Sequence, residues 1–73
     1  MASPEAKHEA FRRLATQRTN NVIDRIRILG HCANPHLYEY SDEEVRRIFR
    51  AIESELRAVK AKFQNSSRSE FTL

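Results

Sequence analysis

Between Val45 and Phe63 the apolar residues Val45, Phe49, Ile52, Leu56, Val59 and Phe63 recur in steps of 4, 3, 4, 3 and 4. A mean repeat of about 3.5 residues belongs to an α-helix and not to a strand, and it is the spacing with which helices pack against one another along a shared seam. A chain that carries such a seam must cover it with another helix. The fold class expected is therefore all-α.

The start of this helix is written locally. Ser41 is the N-cap, Glu44 stands three residues on as its reciprocal partner, and Tyr40 is placed to pack on Val45, so a capping box and a hydrophobic staple coincide. Along the outer flank, Glu43 to Arg47 and Glu53 to Arg57 are acid-then-base pairs four residues apart, each worth about 0.2–0.5 kcal/mol in a helix. The helix is expected over residues 42–64. The end, QNSSRSEFTL, has no periodicity and is rich in Ser and Asn, so residues 65–73 are expected to be a disordered tail.

An earlier helix begins with Ser3-Pro4-Glu5, which supplies a capping hydroxyl, a proline at the first helical position and an acid in the first turn. Phe11, Leu14, Ala15, Val22, Ile26 and Leu29 then line one face, and Gly30 offers the left-handed residue that commonly ends a helix. This predicts a helix over 4–29 and a connector over 30–40. Asn34-Pro35 should turn the chain, with Leu37, Tyr38 and Tyr40 as the connector's apolar content, placed to close the end of the hairpin like a lid. Two helices joined in this way form an antiparallel hairpin. A hairpin buries one layer of side chains, whereas two hairpins bury both seams, so a homodimeric four-helix bundle is expected.

Size supports self-association. A chain of 73 residues buries only about 60% of its unfolded surface. Cys32 is the single cysteine, so no disulfide forms within the chain, and a lone thiol suits a reducing cytoplasm. No run of about 18 apolar residues is present to span a membrane. Thirteen basic residues, ten of them arginine, stand against ten acidic ones, a formal charge of +3. That balance permits a nucleic-acid or acidic partner without demanding one.

Candidate chemistry is sparse. His31, Cys32 and His36 are of metal-ligand type, but His31 and Cys32 are adjacent and point apart, and a fourth ligand is missing from the pattern, so neither a metal nor a cofactor is expected. A Cys32–histidine nucleophile lacks an orienting third group, the acids Asp42, Glu43 and Glu44 are explained by the helix dipole, and no phosphate-cradling glycine loop occurs. The chain is expected not to be an enzyme.

The arginines are the remaining candidates for binding. Arg18 and Arg25 lie seven residues apart on the apolar face of the first helix, where leucine would be expected. They either pair with a carboxylate such as Glu55 or present a row to phosphate or carboxylate. Arg46, Arg47, Arg50 and Arg57 give the second helix a basic outer flank, and Arg12 and Arg13 do the same for the first. The expectation is a small interaction or regulatory protein acting through its dimer surface. The alternative is a basic RNA- or DNA-binding dimer, against which stand the interleaved acids and the lack of stacking aromatics among the arginines.

The segment RIRILGHCANPHLYEYSDEEVRRIFRAIESELRAVKAKF also resembles a group of small bacterial and mobile-element proteins of uncharacterised function. The shared elements are an I-R-x-L-G-x-x-x-N segment (Ile26, Arg27, Leu29, Gly30, Asn34), a Y-x-Y-[ST] step (Tyr38, Tyr40, Ser41) and a K-x-K-F helix end (Lys60, Lys62, Phe63). The match covers roughly residues 18–63. It implies the helical hairpin and brings no activity, cofactor or binding residue. In architecture alone the expected fold is similar to small plasmid RNA-binding hairpins that dimerise as four-helix bundles, and fold does not imply function.

Overall fold

The computed structural model of the chain describes residues 3–67 and contains two α-helices, α1 over Pro4–Gly30 and α2 over Asp42–Ser67. The described residues include no strand. The chain divides between Tyr38 and Glu39 into two units, each built around one helix.

α1 starts where its caps dictate. Ser3 is extended (φ −70°, ψ 160°), its Oγ accepts from the Ala6 amide at 3.1 Å, and its carbonyl accepts from the Lys7 amide at 3.0 Å. Pro4 at the first helical position has no amide to leave unsatisfied. The far end departs from expectation. Gly30 belongs to the helix and does not adopt the left-handed conformation, since no described residue has positive φ. The cap is His31, itself right-handed at φ −66° and ψ −19°.

The helix instead tightens as it ends. The amides of His31, Cys32 and Ala33 donate to the carbonyls of Ile28, Leu29 and Gly30 at 3.0, 3.0 and 3.1 Å, each three residues back. This right-handed exit satisfies the last carbonyls without a left-handed residue. Asn34 then makes the turn: its side-chain Oδ1 accepts from the His36 amide at 3.0 Å, and its carbonyl accepts from the amides of Leu37 and Tyr38 at 3.1 and 2.9 Å. An Asx turn and the missing amide of Pro35 therefore hold the connector. The expected apolar lid is not what orders it, because Leu37, Tyr38 and Tyr40 are all exposed, Leu37 at 71%.

α2 opens with the reciprocal bonds of the capping box. Ser41 Oγ accepts from the Glu44 amide at 3.1 Å, while the Ser41 amide and hydroxyl donate to Glu44 Oε1 at 2.8 and 3.0 Å. Ser41's carbonyl accepts the next helical bond from the Val45 amide at 3.1 Å. The Ser41 amide, and after it the Ser41 hydroxyl, hold the Glu44 carboxyl below the ordinary carboxylate value of 4.5. At its other end α2 continues through Asn65 to Ser67, past the expected limit at residue 64. Ser and Asn lower helix propensity by only a few tenths of a kcal/mol each and do not block propagation as proline would. The rest of the expected tail, residues 68–73, lies outside the described residues.

Three outcomes follow from these ends. A Cβ built on Gly30 meets nothing within 4 Å. Since Gly30 is right-handed, Gly30→Ala should raise helicity and stability by about 0.5–1 kcal/mol, measured by circular dichroism during thermal melting; a loss would show that the glycine needs a left-handed conformation. Ser41→Ala should cost about 0.5–2 kcal/mol in chemical denaturation. Because Glu44's folded-state pKa is depressed, its contribution to α2 is present above about pH 4.5 and is lost as pH falls through the lowered folded value. Wild type should therefore lose more helicity on acidification than Glu44→Gln, compared by circular dichroism across that window.

Candidate interaction surface

None of the described side chains is buried, so the candidate residues are read from the faces of each helix by itself. On α2, Phe49, Leu56, Val59 and Phe63 are all exposed, Phe63 at 59%, while Val45 and Ile52 are half-buried. These six residues stand on one side of the helix because steps of three and four return to the same face about every two turns. Ile48, exposed at 41%, lies three residues after Val45 and four before Ile52, and it widens the seam along one edge. Its spacing signalled that place, although the strict 4-3-4-3-4 pattern passes over it.

The apolar face of α1 is of a different kind. Continuing the same steps from Phe11 gives Ala15, Arg18, Val22, Arg25 and Leu29, so two of six seam positions are arginine. Both arginines are exposed, and no ion pair among the described residues engages either one. Ile23 and Ile28 are exposed as well and fall to either side of this stripe, where the one-face pattern gave no reason to look for them. α1 is thus a mixed apolar and cationic surface, whereas α2 carries an uninterrupted apolar one.

The outer flank of α2 combines its cations with one carboxylate. Glu43 lies 3.5 Å from Arg46 and 4.0 Å from Arg47, with all three side chains well exposed. Such solvated pairs contribute at most about 1 kcal/mol each and leave the guanidinium edges accessible. The expected Glu53–Arg57 pair does not close to ion-pair distance, and Arg50, Arg57, Arg12 and Arg13 form no ion pair among the described residues. At about 100° per residue, Arg46, Arg50 and Arg57 fall within about 40° of one another on one flank, Arg46 next to the seam's edge, with Arg47 about 60° further round. On α1 the ion pair present is Arg27 with Asp24 at 3.9 Å, a three-residue spacing not singled out from the sequence.

The connector groups do not assemble into a site. Cys32 is exposed, and among the described residues no three His, Cys, Asp or Glu side chains come together as metal ligands would. His31 is used as the α1 cap, and His36 enters the Asn34 turn through its backbone amide. Among the described residues no helix is long and apolar enough to cross a membrane. No family model, curated protein or solved structure matches the chain.

Proposed function

We propose that the chain is a non-enzymatic interaction protein that works as a homodimer in the bacterial cytoplasm. In this reading the two helices fold back as an antiparallel hairpin, and two hairpins close a four-helix bundle around the α2 seam. The observation that carries it is the uninterrupted apolar face from Val45 to Phe63, exposed at Phe49, Leu56, Val59 and Phe63 and half-buried at Val45 and Ile52. Contiguous apolar surface of this kind is rare on monomeric proteins and marks a binding site, and a chain this small gains stability by association. The arginines Arg46, Arg47, Arg50 and Arg57 then remain on the outside of the bundle, where they meet an acidic or phosphate-bearing partner.

The convergence of Arg46, Arg50 and Arg57 on one side of α2 favours a second reading, a basic dimer that grips the RNA or DNA backbone. Retention on nucleic acid that falls steeply as salt rises supports this reading, and salt-insensitive capture of a protein supports the first.

For the assembly itself, sedimentation or light scattering at micromolar concentration should report a dimer. Its melting temperature should rise with protein concentration, because an associating chain is stabilised by mass action. A monomer whose melting temperature is independent of concentration would falsify the homodimer.

A further inference from the structure

Two charges at the edges of the α2 seam have no opposite charge within reach on their own helix. Three and four positions from Glu55 stand Ala51, Ile52, Ala58 and Val59; at the same distances from Lys60 stand Leu56, Arg57, Phe63 and Gln64. Both side chains are exposed, and neither takes part in an ion pair among the described residues. Glu43, by contrast, sits between Arg46 and Arg47. Glu55 immediately precedes the seam residue Leu56 and Lys60 immediately follows Val59, which puts them on opposite edges, five residues apart. That is the offset at which an edge residue of one helix meets the far edge of a parallel, in-register partner.

We propose that the occupant of the α2 seam is α2 of a second copy running in the same direction, with Glu55 of each copy facing Lys60 of the other. The inference rests on the homodimer part of that reading, adds the direction of pairing, and takes α2 against α2 as the seam contact in place of a four-helix packing around it. Charge decides between the two directions. In the parallel pair the facing edges hold two Glu55–Lys60 attractions, Glu53 faces Ile48, Arg46 faces Ser41, and no like charges meet. In the antiparallel pair with the seams fully overlapped, Val45 lies across from Phe63 and Phe49 across from Val59. Arg46 then falls beside Lys60 twice, Glu53 beside its own copy, and Glu55 beside its own copy. Exposed pairs are individually weak, so they bias orientation and shift affinity only in sum, as edge charges do in helical pairs generally.

Lys60→Glu in the full chain separates these arrangements, with the dimer dissociation constant measured by analytical ultracentrifugation at low salt. In the parallel dimer it converts two attractions into two repulsions, and the constant should rise about tenfold. The double variant Glu55→Lys, Lys60→Glu should return it close to the wild-type value. In the antiparallel dimer Lys60→Glu sets an acid beside Arg46 and tightens association, so a lower constant, or an unchanged one, overturns the proposed direction while leaving the dimer standing. A wild-type chain that is monomeric throughout overturns both. The two positions are exposed, and unchanged helicity by circular dichroism verifies that the variants remain folded.

Discussion

A single helix has no interior, and this is the constraint on which the molecule turns. α2 sets Val45, Phe49, Ile52, Leu56, Val59 and Phe63 along one side over about 27 Å of helix at 1.5 Å per residue, and leaves them exposed or half-buried. Burying apolar surface is worth roughly 25 cal/mol per Å², so a face of this length is a large source of association energy.

The two helices differ in how they meet that constraint. α2 offers an apolar stripe with charges only at its edges, a surface suited to another helix. α1 repeats the same spacing but substitutes Arg18 and Arg25 at two of its positions. An arginine can lay its aliphatic stem along apolar neighbours while its guanidinium reaches a carboxylate or phosphate, which makes α1 more selective about its neighbour. The α1 face thus combines apolar and cationic chemistry, whereas the α2 face is apolar with charges at its edges.

Local chemistry at the helix ends supports these faces by fixing where they begin. Ser3 and Ser41 each turn an unsatisfied helix start into a closed one, and the Ser41–Glu44 exchange does so in both directions while biasing Glu44 toward its charged form. Once Ser41 sets the start of α2, every later residue takes its place around the helix. The capping box therefore fixes where α2 begins, while the spacing of the residues sets which of them share the seam and which share the arginine flank. The Asn34 turn plays the corresponding part in the connector, since it halts the right-handed exit of α1 and frees the chain to begin again.

Much was legible in the sequence because its information is short-ranged. The helical class, both helix starts, the Asn34-Pro35 turn and the seam depend on contacts within four residues, which spacing and residue type express directly. Other features depend on a balance that residue type does not settle. Gly30 can end a helix in the left-handed conformation or continue a right-handed one, and only the backbone bonds to Ile28, Leu29 and Gly30 show that it continues. Leu37, Tyr38 and Tyr40 have the composition of a packed lid yet are exposed, because packing requires a neighbour that composition cannot name. Glu53 and Arg57 have the spacing of an ion pair and remain apart, because long solvated side chains gain little by meeting. The sequence by itself determined where each helix begins and which side chains share a face, through steric and hydrogen-bonding rules that act within a turn. What residue type left open, and only the three-dimensional structure shows, is how α1 ends, how far α2 runs and which charges stay apart, because these follow from local interactions of nearly equal energy that compete within a turn or two of helix.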